Sequence, residues 1–132
     1  MKKFEFIFNV TDDLLDGYHH VNNARYLDLY ENARWDILEK SGLGRNMVSK
    51  NKIGPVIIEV TVRFSRELLP GEEIKIITTS RRKNELVFYF DQQMINSKGE
   101  VASKAVFTTA LFDLEKRKMV KADDIWLKAM GF

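Results

Sequence analysis

Between Asn22 and Gly42 the chain carries one long helical repeat, and nearly everything around it alternates with the period of a strand. At about 100° per residue, Tyr26, Tyr30, Ala33 and Ile37 share a face flanked by Leu27, Arg34 and Leu38, while Arg25, Asp28, Asn32, Asp36 and Glu39 gather opposite. Asn22 or Asn23 supplies the cap by accepting a backbone N–H, and Gly42 the stop, because glycine enters the left-handed conformation without steric cost. Trp35 breaks the pattern: it projects from the polar face and needs cover from another segment or another subunit.

A single helix restricts what the strands can do. Residues 3–10 set Phe4, Phe6, Phe8 and Val10 against Lys3, Glu5, Ile7 and Asn9, which reads as a half-buried strand rather than a signal peptide. After a mixed connection over 43–54 with a short helical turn, Val56, Ile58, Val60, Val62 and Phe64 alternate with Ile57, Glu59, Thr61 and Arg63. Leu69-Pro70-Gly71 turns the chain into a strand over 72–80, a basic connection leads to a strand over 86–95, and Asn96 to Gly99 turns it into a strand over 101–113. The last residues predict a short closing helix with Ile125, Trp126 and Met130 as its apolar side. Consecutive strands joined by short turns form an antiparallel meander, and only one long helix is available to cover it. The expected fold is therefore α+β, a curved antiparallel sheet wrapped around a central helix, and 132 residues form one such domain. Open sheet edges favour pairing between subunits.

Composition narrows the chemistry. Without cysteine there is no disulfide, thiolate nucleophile or Cys-based metal site, which fits a cytoplasmic protein. The 21 basic and 19 acidic residues nearly cancel, giving no general pull towards nucleic acid, and no run of about 18 apolar residues predicts membrane insertion. Nucleophile-elbow, Walker, dinucleotide-binding and zinc-protease motifs are absent. His19 and His20 are the only histidines, and adjacent side chains in an extended segment point apart, so no metal site is expected.

What remains is a carboxylate beside a helix start. Asp16 precedes Asn22 in a loop that leads straight into the helix, whose first N–H groups lack carbonyl partners and carry about half a positive charge. A carboxylate there is either a turn residue or a base or nucleophile, with the N–H groups holding a carbonyl oxygen as it becomes negative.

Three stretches are more specific: D-G-Y-H-H-V-N-N-A-R-Y-L from Asp16 to Leu27, Y-E-N-A-R from Tyr30 to Arg34, and R-F-S-R-E-L-L-P-G-E-E-I from Arg63 to Ile74. Together they resemble the signature of the hotdog-fold acyl-CoA thioesterases, the group around 4-hydroxybenzoyl-CoA thioesterase. The resemblance implies a thioester hydrolase with Asp16 as the catalytic carboxylate and the Asn23 backbone N–H as the carbonyl-oxygen donor. It also implies that His20 and Tyr26 contact substrate and that Arg81, Arg82 and Lys83 contact coenzyme A phosphates, with Arg63 and Arg66 as secondary cations. Glu31, on the central helix, is the alternative catalytic carboxylate. Coenzyme A enters as part of the substrate, no cofactor is implied, and a homodimer or homotetramer is expected. Two other readings use the same residues: hydrolysis of acyl groups on acyl carrier protein, and a noncatalytic acyl-thioester binding or sensing module. The chain departs from the family pattern at Leu14, where many relatives have Asp, and at His19, where they have Gly.

Overall fold

A computed structural model describes all residues from Met1 to Phe132. The central helix α1 spans Asn23–Lys40, and Asn22 caps it by accepting the Ala24 N–H at 2.9 Å. Its last turn closes through Gly42, whose φ of 77° no β-carbon opposes, and Leu43 donates back to the Leu38 carbonyl at 2.8 Å.

Strand β1 (Phe4–Asn9) precedes the helix, and β2 (Ile53–Phe64), β3 (Glu73–Arg82), β4 (Val87–Ile95), β5 (Val101–Asp113) and the short β6 (Lys118–Val120) follow it. All pair antiparallel in the order β1-β3-β4-β5-β2, with β6 added on β5. Two shorter helices complete the chain: α2 (Arg45–Asn51), and α3 (Asp124–Ala129), capped by the Asp123 carboxylate. Helix α2 lies close against β2 because Gly54 has no side chain; a β-carbon there would come within 2.6 Å of Val48.

The side of the sheet facing α1 is apolar: Ile74, Ile76, Phe88, Phe90, Met94 and Phe107 pack against Tyr26, Tyr30 and Ala33. Burying such a continuous apolar face is the main stabilising term of the fold. One polar network crosses this core. Tyr30 donates to Ser103 Oγ at 2.7 Å, Arg34 Nη1 donates to Gln92 Oε1 at 2.9 Å, and Gln92 Nε2 is shared between the Tyr30 carbonyl and Thr78 Oγ1. Burial drives the Tyr30 hydroxyl well above the ordinary phenol range despite the Ser103 bond. It also lowers the Arg34 guanidinium to about 10, against the opposing charge of Glu31, so Arg34 remains a cation at neutral pH.

The expected alternation fails in three places, each for a local reason. A bulge between Ile57 and Glu59 shifts the register of β2, so Ile57 opposes the inward-facing Thr109 while Ile58 leaves the ladder. On α1 the buried arc contains Leu29, whereas Leu27 stays exposed. On α3, Trp126, Ala129 and Met130 form the buried side at helical spacing, and Ile125, within the first turn, points to solvent. Trp35 is covered from within the chain: it packs against the core, with the Arg45 guanidinium 4.7 Å over its ring.

Candidate active site at the start of the central helix

The loop before α1 is held from both sides. Leu15 and Val21 form an isolated antiparallel bridge, Asn22 donates to the Leu14 carbonyl at 2.9 Å, and buried Val21 donates to the Leu68 carbonyl at 3.0 Å. Residues 16–20 are thereby pushed out as a tight turn, closed by the His19 N–H on the Asp16 carbonyl at 3.0 Å. His19 adopts φ 61°, the left-handed conformation that glycine enters most easily and that His tolerates at some cost. His19 thus takes a backbone conformation that suits glycine, the residue that the sequence resemblance expects at this position.

Asp16 is half-buried, and each carboxylate oxygen has a neighbour. Oδ1 accepts the Tyr18 N–H at 2.9 Å, Oδ2 faces Asn22 Nδ2 at 3.5 Å, and His20 Nε2 lies 3.9 Å from Oδ1. At the helix start the Asn22 side chain serves the Ala24 N–H, and the Asn22 carbonyl receives the Arg25 N–H. The Asn23 N–H is the first-turn donor that neither serves, and Asn23 lines the same cleft as Asp16.

That cleft has a volume of about 420 Å³, and Asp16, His20, Asn23 and Tyr26 all line it. Tyr26 forms its floor with Phe64, their rings edge to face at 4.8 Å. Burial, reinforced by the Glu67 and Glu72 charges and partly offset by the Leu68 N–H, pushes the Tyr26 hydroxyl up to about 12, so it faces the site as a neutral group. Tyr18, Phe64, Ser65, Arg66 and Glu67 also line the cleft. Tyr18 lies in the Asp16 loop and the other four where β2 ends. Of these, sequence reasoning flagged only Arg66; the signal for the rest is the R-F-S-R-E-L run, whose inward-facing Phe64 meets the helix start.

Other expected site residues lie elsewhere in the chain. Glu31 is exposed about two turns further along α1, 3.7 Å from Arg45, and lines a separate small pocket. Arg81, Arg82 and Lys83 occupy the end of β3 and the turn after it. The segment leading into β3 adjoins the Asp16 loop through Leu68, whose carbonyl accepts the Val21 N–H, so the basic turn stands at the opposite end of a strand about 30 Å long. Within that turn Arg81 is engaged by both Asp91 oxygens, at 2.5 and 2.8 Å, and lies over the Tyr89 ring, while Arg82 and Lys83 remain exposed.

A carboxylate and an unpartnered helix-start N–H whose residues line one cleft suit attack on a polarised carbonyl. Residues 10–129 match the family model of the thioesterase-like superfamily. Long-chain acyl-CoA thioesterase FadM of Escherichia coli (strain K12) is 32% identical over 105 residues, 79% of either chain. Among solved structures, the YbaW probable thioesterase from Escherichia coli superposes with a TM-score of 0.83 at 26% identity, covering 96% of this chain and 98% of that one. Slr0204, a 1,4-dihydroxy-2-naphthoyl-CoA thioesterase from Synechocystis, superposes with a TM-score of 0.88 at 17% identity, covering 98% and 96%. A curved antiparallel sheet around one long helix is the hotdog architecture expected from the sequence, and the chain belongs to the thioesterase-like superfamily.

Proposed function

We propose that this protein hydrolyses an acyl-CoA thioester to a free acid and coenzyme A, with Asp16 and the Asn23 N–H as its catalytic groups. The observation that supports this reading is that Asp16 and Asn23, whose backbone N–H has no partner, line one cleft together with Tyr26 and Phe64. In the hydrolytic step an oxygen attacks the thioester carbon, the carbonyl oxygen becomes negative beside the Asn23 N–H, and the C–S bond breaks to release the thiolate, which takes up a proton from the water consumed in either route. Asp16 either takes the proton of the attacking water or attacks directly to give an anhydride that water then cleaves. A single turnover in labelled water separates the two, because only direct attack leaves label in the Asp16 side chain. His20 and Tyr26, at the cleft wall, serve as substrate contacts. The chemistry requires only water, a base and an oxyanion donor, with coenzyme A entering as part of the substrate.

An edge-paired homodimer or homotetramer accompanies this reading. Strand β2 is a twelve-residue edge that exposes Ile57, Ile58, Val60 and Phe64, more apolar edge than a monomer usually leaves open. A second copy paired there would continue the sheet. Because the basic turn stands far from its own Asp16, its contact with the phosphates of a bound coenzyme A is proposed to come from a neighbouring subunit, whereas Arg66 serves from within the chain. Val60→Glu, a charge on the proposed edge, should halve the mass or more in sedimentation; an unchanged mass would rule that edge out.

No helix is long and apolar enough to cross a membrane, and a cytoplasmic setting is part of the proposal. The exposed Arg82 and Lys83 would suit an acidic carrier protein as well as coenzyme A phosphates. Thiol release from matched acyl-CoA and acyl-carrier-protein esters tests the substrate class: the reading expects turnover of the CoA esters, and turnover of the carrier-protein esters alone would replace it. Binding without release of any thiol would leave a noncatalytic sensing module.

A further inference from the structure

Away from the Asp16 cleft, a pocket of about 50 Å³ lies between α1 and the beginning of β2, and its floor is a buried cation. Arg34 is only 8% exposed, its guanidinium 3.8 Å over the Phe107 ring and one nitrogen bonded to Gln92. No carboxylate lies within ion-pair distance of it. Every fully buried side-chain polar atom in the protein has a hydrogen-bond partner, and Gln92 is the one acceptor Arg34 reaches. The remaining donors of its fork are therefore not fully enclosed, and Arg34 lines this pocket. Trp35, Leu38, Pro55, Ile57 and Phe90 supply apolar walls, and Glu31 sits at the rim, drawn outward towards Arg45.

The pocket and the cleft are both lined by α1 on one side and β2 on the other. Helix and strand run in opposite directions: Tyr26 meets Phe64 at the cleft end, and Arg34 shares the pocket with Ile57 and Pro55 at the other. Between them Leu27 and Val60 expose apolar surface. The helix from Asn23 to Arg34 covers about 16 Å at 1.5 Å per residue, a path for a long acyl chain whose carbonyl is held at the helix start.

We propose that this pocket receives the far end of the acyl chain and selects one bearing a hydroxyl, with Arg34 donating a hydrogen bond to its oxygen and the hydroxyl donating one to the Glu31 carboxylate. The thioesterase reading supplies the direction in which the chain runs. A hydroxyl is the group that satisfies both partners. A terminal methyl leaves the Arg34 donors unpaired in an apolar enclosure, and a terminal carboxylate brings its charge against Glu31. The selected substrates are long-chain hydroxyacyl-CoA esters hydroxylated at or near the chain end.

The test compares terminally hydroxylated and unsubstituted acyl-CoA pairs of increasing chain length. Affinity is measured by calorimetry on Asp16→Asn protein, and thiol release on the wild type. The expected result is equal binding of short pairs and a preference of about tenfold or more for the hydroxylated member once the chain reaches the pocket. That preference should vanish in Asp16→Asn/Arg34→Met and shrink in Asp16→Asn/Glu31→Ala, whose replaced side chain is exposed and should leave folding intact. Equal affinity within every pair, or a preference that survives both additional substitutions, overturns the proposal. The two readings fail separately: equal affinities with normal thiol release sink the hydroxyl pocket alone, and a tenfold preference with no thiol release from any ester sinks the thioesterase reading alone.

Discussion

Replacing Gln92 with leucine removes the one acceptor of a buried cation and should be among the most costly single substitutions in this protein. Gln92 is 3% exposed, accepts from Arg34 at 2.9 Å, and donates to the Tyr30 carbonyl at 3.2 Å and to Thr78 Oγ1 at 3.0 Å. Leucine fills similar volume, so little of the effect is a cavity; what is lost is three hydrogen bonds, one of them charge-assisted. A neutral bond contributes about 1 kcal/mol and one to a charged group about 1.5–3. The expected destabilisation is about 3–5 kcal/mol, or roughly 10–20 °C in Tm for a chain of this length. Urea unfolding followed by Trp35 and Trp126 fluorescence, at matched protein concentration, measures it. The double variant Arg34→Met/Gln92→Leu removes the charge with its acceptor and should lie within about 1–2 kcal/mol of wild type, a non-additivity that only a shared network gives. A loss below about 1 kcal/mol in Gln92→Leu, or simple additivity in the double variant, would refute the claim that Arg34 depends on Gln92.

Glu72 should contribute stability that depends on pH. Partial burial pushes its carboxyl up, but bonds from the Ser97 hydroxyl and the Leu69 and Ser97 N–H groups, with the Lys98 charge, hold it below the ordinary carboxylate range. Because the folded value is depressed, the unfolded chain takes up the proton first as pH falls. The Glu72 contribution is thus full above the unfolded value of about 4.3 and is lost as pH falls through the folded one. The stability gap between wild type and Glu72→Gln should narrow on acidification in that window, and a constant gap in urea titrations would contradict the assignment. At the basic turn, Arg82→Gln/Lys83→Gln should raise KM for CoA esters several-fold and flatten its salt dependence, whereas Arg81→Gln, whose charge Asp91 already engages, should do less. Equal effects of the two substitutions would make the turn ordinary charged surface.

The sequence declared the helix, the strands and the Asp16 loop because each is encoded locally: a 3.6-residue repeat with a cap, period-two alternation, turn residues at the corners. Features created by two distant segments were not legible. The bulge that turns Ile57 inward depends on its pairing with β5, and β6 exists because the chain after Asp113 folds back onto Leu111. Arg34 read as a flank of the apolar stripe; that it is a buried cation needs Gln92, 58 positions away, and Phe107 beneath it. At the candidate site, the nearness of Asp16 to Asn23 was legible because a loop and the helix it enters are adjacent by necessity. The Phe64 floor was not, since it arrives from the end of β2.

Replacing Asp16 with asparagine tests the central claim most directly. The substitution keeps the side chain's size and the oxygen that accepts the Tyr18 N–H while removing the charge. Thiol release from acyl-CoA esters should fall by about 10²-fold or more in kcat/KM, carried by kcat, while Tm stays near that of the wild type. Activity preserved in Asp16→Asn, with Glu31→Gln abolishing it instead, would contradict the account and move the chemistry to the central helix.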